Sequence, residues 1–234
     1  MDRSVPLWIG RRYLVKVECS ERPLSGRRAQ ARRNDGRIRE AAREVFTADP
    51  DAPMSAVAAR AGVGISALYL RYASKEDLLR QVAHDGLAQY LEEAEVAVAD
   101  DRDAWPAFVS FMERLLEAQT VAITMNIAGM FVPNQELYAM AVRAAELNEQ
   151  IVERTKAAGG LRPDVVVDDL SLILEQVSSI RLGSEARSRE LRRRYLALFL
   201  DGLRDDAAGA ADQMSLPGPP PEPDELSSRW MPAD

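Results

Sequence analysis

Residues 57–79, VAARAGVGISALYLRYASKEDLL, contain the pattern that decides the fold of this chain. A short apolar helix ends at Gly62, because glycine readily adopts the left-handed backbone conformation that closes a helix. A second short helix is predicted from residue 65 to residue 72. Ser74 then has the sequence context of an N-cap, with an acidic residue three positions later, and opens a longer helix. Two short helices joined by a tight turn are typical of a helix-turn-helix.

A further amphipathic helix precedes this stretch. From Arg37 onward, apolar residues recur at helical spacing and predict one buried helix face, which consists of Ile38, Ala41, Ala42, Val45 and Phe46. Pro53 suits the first turn of the next helix, since a proline there loses no hydrogen bond. In a three-helix arrangement of this kind, the first two helices form a platform and the third can lie in the major groove of DNA.

The rest of the chain is also predicted to be helical. After the long fourth helix, a fifth is capped by Asp101 or Asp103, and others cover about 135–158, the stretch after Pro163 and about 185–203. We therefore predict an all-α chain in which the long fourth helix joins an N-terminal three-helix helix-turn-helix domain to a helical bundle. The predicted segments are a basic, mostly disordered extension at 1–33, the helix-turn-helix domain at 34–82, a helical body at 83–205 and a disordered, proline-rich tail at 206–234.

Composition excludes several classes of protein. No apolar run approaches the roughly 20 residues that a membrane-spanning helix needs, and the N-terminus lacks the pattern of a signal peptide. A single cysteine, Cys19, allows no intrachain disulfide, and with a single histidine, His84, it cannot form a zinc site of Cys and His ligands. We expect a cytoplasmic protein without a metal or cofactor.

The charge of the chain is unevenly distributed. The net charge is −7, but residues 1–82 carry 16 Lys/Arg against 10 Asp/Glu, whereas residues 83–234 carry 14 against 27. A basic front is expected of a modular DNA-binding protein, because it favours approach to phosphates. A basic tail on an acidic globule would give the same distribution, so charge alone does not decide between them.

The helix-turn-helix residues resemble one family closely. Residues 57–63 (VAARAGV), the pair Leu68-Tyr69 and residues 72–79 (YASKEDLL) look like the N-terminal domain of tetracycline-repressor-type (TetR-like) bacterial transcription regulators. The upstream helix fits the first helix of that domain, so the match covers about residues 37–82. The acidic remainder fits the family's variable ligand-binding and dimerisation domain in layout only.

The resemblance implies a set of DNA contacts. Tyr69 would contact a phosphate or pack at the DNA backbone, and Lys75 would donate to a phosphate with help from its helix dipole. Arg71 is the best candidate for reading a guanine. Gly64 and Ala67 depart from the family pattern, where hydroxyl residues are common, and the basic arm at 27–33 could compensate in the minor groove. The full set is Arg32, Arg33, Ser55, Gly64, Ile65, Ser66, Ala67, Tyr69, Leu70, Arg71, Tyr72 and Lys75, although for Tyr72 we favour a core position.

The resemblance also implies an effector pocket and a dimer interface in the body. An apolar pocket for an unidentified small molecule would be lined by Trp105, Phe108, Met112, Met125, Met130, Phe131 and Tyr138. The last two long helices would pair across a two-fold axis through Leu170, Ile173, Leu174, Val177, Leu191, Tyr195, Leu198 and Phe199. Burial of both sets within one subunit is the alternative.

The expected function is therefore a ligand-responsive homodimeric regulator, commonly a repressor in this family, on a palindromic operator of double-stranded DNA. Enzyme motifs are weak: there is no Gly-x-Ser-x-Gly elbow or phosphate loop, and His84 reads as structural. The run Arg192 to Arg194 reads as a solvated face. The main alternative is a helical dimeric interaction protein that has lost specific DNA binding, and an enzyme hidden in the body is a second.

Overall fold

The computed structural model describes residues 26–118, 127–205, 215–222, 225–226 and 228–230, and within these residues the chain contains helices and no strand. This confirms the all-α prediction. The helices are α1 (Gly26–Ala48), α2 (Met54–Ala61), α3 (Ile65–Arg71), α4 (Lys75–Ala99), α5 (Ala104–Ala118), α6 (Gln135–Ala157), α7 (Val167–Ser178) and α8 (Glu185–Leu203), followed by a 3-10 turn at Ser228–Trp230. None of the described helices is long and apolar enough to cross a membrane.

Helix α1 begins earlier than the sequence pattern indicated. We expected residues 1–33 to be mostly disordered and regular structure to start at Arg37, whereas α1 starts at Gly26. The physical reason is composition: residues 26–36 contain no proline and consist largely of Arg, Ala and Gln, which are good helix formers. The buried face from Ile38 to Phe46 anchors the helix, and propagation toward the N-terminus then needs no further apolar residue.

The turns of residues 49–74 are those that the sequence predicts. Gly62 has φ 63° and ψ 40°, and its N–H donates to the carbonyl of Ala59, which closes α2. Ser74 is the N-cap of α4, and its hydroxyl accepts a hydrogen bond of 3.1 Å from the backbone N–H of Asp77. The two caps set the end of α2 and the start of α4, and α3 lies between them.

A first hydrophobic core, which we call the head core, unites α1 to α3 with the start of α4. Three of its buried members come from the segment after α5: Ile127 and Phe131 are 0% and 2% exposed, and Leu137 is also buried. The body thus contributes side chains to the head core across the boundary that we placed after residue 82. The remaining members are Ile38, Ala41, Ala42, Phe46, Ala52, Met54, Val57, Ala58, Ala61, Leu68, Tyr72, Leu78, Leu79, Val82 and Ala83.

A second core, the body core, lies among α5 to α8 and the second half of α4. Helices α4 and α6 run parallel, since Tyr90 bonds to Asn148 and the end of α4 bonds to Arg154. The Arg154 guanidinium donates to the carbonyls of Ala97, Val98 and Asp100 at the C-terminal end of α4, where the last carbonyls of a helix lack the usual intrahelical donors. The C-terminal end of α4 is therefore held by α6.

Candidate nucleic-acid interface

Helix α3 is held to the head on one side and exposed on the other. Leu68 is fully buried in the head core, whereas Ile65 is 41%, Tyr69 50% and Leu70 91% exposed. A leucine that is almost fully exposed contributes nothing to the core of the protein, so exposed apolar side chains concentrated on one short helix indicate a binding surface. Gly64, Ser66 and Ala67 are exposed beside them.

Arg71, which we expected to read a base, is bound by an acidic residue of α1. Its Nε and Nη2 donate to the two carboxylate oxygens of Asp35 at 2.8 Å and 3.2 Å. The Tyr72 hydroxyl donates to the same carboxylate at 2.8 Å. The Arg71 guanidinium is the main reason why the pKa of Asp35 lies below its usual value, and burial is the main reason why the pKa of Tyr72 is raised.

Tyr72 is a core residue in this structure. We included it among the DNA contacts while favouring a core position, and its side chain is only 7% exposed within the head core. Tyr72 directly follows α3, and its backbone N–H donates to the Leu68 carbonyl. Its ring therefore points into the head, and its hydroxyl is used by Asp35.

The other expected DNA contacts lie at the start of α4, on α2 and on α1. Lys75 is the first residue of α4, where the helix dipole favours anions, and its Nζ lies 5.4 Å from the centre of the Phe46 ring. Ser55 is exposed in the first turn of α2, and Arg33 is exposed on α1. Arg32 lies on α1, but its side chain is outside the described residues.

Polar side chains connect α1 to α4, and sequence reasoning missed them. Arg39 donates to Asp85 at 2.7 Å and Arg43 to Gln89 at 2.9 Å. Asp85 also accepts from Gln81 of its own helix at 2.9 Å. A signal was present, because Arg39 and Arg43 are four residues apart, as are Asp85 and Gln89, so each pair shares a helix face. Nothing in the sequence indicated that the two faces meet.

The expected effector residues do not form one pocket. Phe108 and Met112 are buried in the body core, whereas Phe131 is buried in the head core with Met130 packed against it. Tyr138 is 69% exposed. Met125 lies outside the described residues, and Trp105 packs at the edge of the body core. Helical spacing identifies apolar faces without showing which of two cores each face enters, so the position of an effector pocket stays a prediction.

The body does contain a small internal cavity. Its volume is about 20 Å³, enough for roughly one water molecule. Within its mainly apolar wall, the Tyr90 hydroxyl donates to Asn148 at 2.7 Å. Burial raises the pKa of Tyr90, so the hydroxyl remains a neutral donor. Of the expected pocket residues that the structure describes, only Met112 lines it, together with Phe111, Leu115, Ile151, Val152, Val167, Leu170, Ser171 and Leu174.

Comparison with known families matches both parts of the chain. Residues 38–82 match the model of bacterial regulatory proteins of the tetR family, and residues 100–205 match that of the SbtR-like transcriptional regulator C-terminal domain. The chain belongs to the TetR family. No curated protein matches it in sequence. This TetR-family chain therefore contains a helix-turn-helix DNA-binding domain and a C-terminal ligand-binding domain.

Solved structures share its fold. The ketosteroid transcriptional regulator KstR2 of Mycobacterium tuberculosis is 18% identical, with a TM-score of 0.55 over 75% of this chain and 96% of that one. CprB from Streptomyces coelicolor A3(2) is 17% identical, with a TM-score of 0.55 over 79% of this chain and 94% of that one. A TetR regulator from Mycobacterium vanbaalenii is 25% identical, with a TM-score of 0.48 over 76% and 98%.

The two faces expected at the dimer interface of this TetR-family chain behave differently. On α7, Leu170, Leu174 and Val177 are buried in the body core of their own subunit, and Ile173 packs against it, as in the alternative of burial within one subunit. Helix α7 needs its apolar face to close the body over α5. On α8, by contrast, Tyr195, Leu198 and Phe199 are 45%, 57% and 41% exposed, beside the half-buried Leu191.

The arginine run on α8 is not a uniformly solvated face. Arg192 is 4% exposed, and it donates to the Ile180 carbonyl at 3.1 Å and to Glu185 at 2.8 Å. Arg193 instead pairs with Glu117 of α5 at 2.6 Å. Position 192 falls on the buried side of α8, four residues before Leu196, so its guanidinium closes the loop between α7 and α8.

Proposed function

We propose that this TetR-family chain is a ligand-responsive repressor that binds a palindromic operator as a homodimer. The observation that carries the proposal is the exposed face of α3, supported from behind by the buried Leu68 and followed at once by Lys75 on the N-terminus of α4. A helix of this kind enters the major groove, and a cation at a helix N-terminus binds the adjacent phosphate.

Dimerisation is supported by the outer face of α8. Leu191, Tyr195, Leu198 and Phe199 recur at the spacing of one helix face, and Gly202 continues it with an exposed small residue. A second copy of the same face is its natural cover, because two-fold interfaces use the same patch on both subunits. Two heads related by such an axis would reach two half-sites, which is why the operator would be palindromic.

Effector control is supported by the connection between the two cores. The cavity near Tyr90 and Asn148 is lined by residues of α4 to α7. The segment that follows α5 packs in the head core through Ile127 and Phe131. A small, largely apolar effector with one polar group would have to widen this cavity. It would shift the population only by its differential affinity for the widened state. If that state separates the heads, the operator is released and the repressed gene is expressed.

The test is DNA binding by the purified full chain. DNA that flanks its own gene, and DNA selected from a random pool, is labelled and titrated at two salt concentrations with fluorescence anisotropy. The variant Tyr69→Ala/Lys75→Ala should lose specific binding, whereas the control Tyr138→Ala/Lys156→Ala, which removes the same side chains from α6, should retain it. Binding that is weak, displaced by scrambled DNA and equal in both variants would favour a helical interaction protein instead.

Repression is tested separately from binding. The selected operator is placed over the promoter of a reporter gene, and the wild-type chain or the Tyr69→Ala/Lys75→Ala variant is expressed beside it. We expect lower reporter expression with the wild type only. Higher expression with the wild type would show an activator.

A further inference from the structure

The exposed residues of α3 that precede Arg71 lack the groups that usually read guanine, adenine and cytosine. The exposed residues at 65–70 are Ile65, Ser66, Ala67, Tyr69 and Leu70, and they contain no guanidinium, ammonium, amide or carboxylate. Base edges of those three kinds are read mainly by Arg or Lys, by Asn or Gln, and by Glu or Asp. The hydroxyls of Ser66 and Tyr69 are the polar groups of this surface.

The one charged side chain of α3, Arg71, is bound to Asp35 and so is not free to read a base edge. Both carboxylate oxygens of Asp35 accept from it, and the Asp35 side chain is only 17% exposed. If Arg71 left to reach a base, Asp35 would keep the Tyr72 hydroxyl and the Arg39 guanidinium at 3.9 Å. This largely buried carboxylate would then lose its closest cation, so the pairing with Asp35 favours Arg71 in its present position.

Leu70 occupies the position from which a side chain would reach deepest into the groove. In a helix, residues 66 and 70 lie on one face and residue 68 lies on the opposite one. Because Leu68 is the buried anchor, Leu70 and Ser66 point directly away from the head. Leu70 is 91% exposed, more than any other large apolar residue among those that the structure describes as exposed.

The feature of the major groove that matches such a surface is the C5-methyl group of thymine, which apolar side chains contact. We propose, on the basis of the proposed DNA-binding function, that α3 reads its half-site through thymine methyl groups packed on Leu70 and Ala67. Arg71 is then a positioning residue, which fixes α3 to α1 through Asp35. The preferred half-site centre consists of A·T pairs with thymines in register with α3.

The experiment removes the methyl groups and leaves every hydrogen bond of the base pair. Operators are first selected from random DNA with the full chain. Each thymine of a selected site is then replaced, one at a time, by deoxyuridine, and each guanine by 7-deazaguanine, which lacks the N7 acceptor. We expect deoxyuridine at one or two positions per half-site to weaken binding about fourfold each, the effect of one buried methyl group. The 7-deazaguanine substitutions should change affinity by less than about twofold.

The variants Leu70→Ala and Arg71→Ala test which side chain is responsible for the loss of affinity on deoxyuridine substitution. Leu70→Ala should bind the thymine and deoxyuridine operators almost equally, whereas the control Val142→Ala, which shortens an exposed residue of α6, should keep the fourfold difference. Arg71→Ala should keep the same base preferences as the wild type, whatever its overall affinity. A merely structural role for Leu70 would change affinity for both operators alike.

The outcomes separate this inference from the proposed function. If selection yields no preferred DNA, both fail. If an operator is selected, but binding is insensitive to deoxyuridine and sensitive to 7-deazaguanine in an Arg71-dependent way, the proposed function holds and thymine reading is wrong.

Discussion

Asp35 is the residue on which the polar contacts of the head converge, and its pKa makes its role measurable. It accepts from Arg71 and from Tyr72 and has a lowered pKa in the folded chain. A group with a depressed folded pKa stabilises the protein above its unfolded pKa, and the stabilisation is lost as pH falls through the folded value. We expect Asp35→Asn to lower the free energy of unfolding by about 1–2 kcal/mol at pH 7. That gap should begin to narrow below about pH 4 and close as pH falls through the lower folded pKa.

Urea denaturation of both proteins at pH 7, 5 and 3.5 checks this expectation. The control is Asp101→Asn, because Asp101 is exposed, and its substitution should leave the unfolding free energy nearly unchanged at each pH. A difference between wild type and Asp35→Asn that is the same at pH 7 and 3.5 would show that the carboxylate charge is not what stabilises the head.

Gly62 is the second residue whose chemistry is dictated by its position. Its φ is +63°, and an added Cβ would lie 2.7 Å from an Nη of Arg37. We expect Gly62→Ala to lower the free energy of unfolding by about 1–2 kcal/mol, because a left-handed backbone disfavours a Cβ. Gly36→Ala is the matched control: it lies within α1 with no atom near its Cβ, so it should stabilise by about 0.5–1 kcal/mol. Equal melting temperatures for the two variants would contradict the assignment of strain to the turn.

At the scale of the element, sequence patterns located helices better than they located partners. Gly62, Ser74 and the bounds of α8 were predicted, because caps and breakers act within a few residues of the chain. The face of α7 was predicted as apolar and assigned to a second subunit, whereas here it packs in the body core of its own subunit. Periodicity records that a face is buried, whereas which helix covers it depends on contacts far apart in sequence. The α1–α4 polar contacts and the Tyr90–Asn148 cavity were missed for the same reason.

Helix α8 carries the prediction that belongs to this scale. Leu198 is 57% exposed in the apolar stripe, so Leu198→Arg places a charge where we propose that a second copy packs. We expect this variant to be monomeric in sedimentation velocity at concentrations at which the wild type is dimeric, because an unpaired buried charge opposes association. Ala197→Arg is the control, since Ala197 is exposed on α8 away from the stripe and should leave the dimer intact. Dissociation by both variants, or by neither, would place the interface elsewhere.

At the scale of the whole molecule, the question is whether the head unfolds separately from the body. Phe131 belongs to the body by sequence but is 2% exposed in the head core, whereas Phe108 is fully buried in the body core. Truncation of either ring to alanine removes a similar apolar volume and should cost about 3–5 kcal/mol. The two variants should nevertheless differ in where the native structure opens first, because the two rings support different cores.

Hydrogen exchange of the full chain distinguishes the two. We expect Phe131→Ala to accelerate exchange in α1 and α2, which are 70 or more residues away in sequence, because the ring is part of the core on which those helices pack. Phe108→Ala should accelerate exchange mainly in α5 to α8. If Phe131→Ala leaves α1 and α2 protected as in the wild type, the segment after α5 does not support the head, and it cannot be the route by which a cavity in the body controls DNA binding. If exchange in α1 and α2 accelerates, the packing of Phe131 in the head core explains how a wider cavity in the body would change the position of α3.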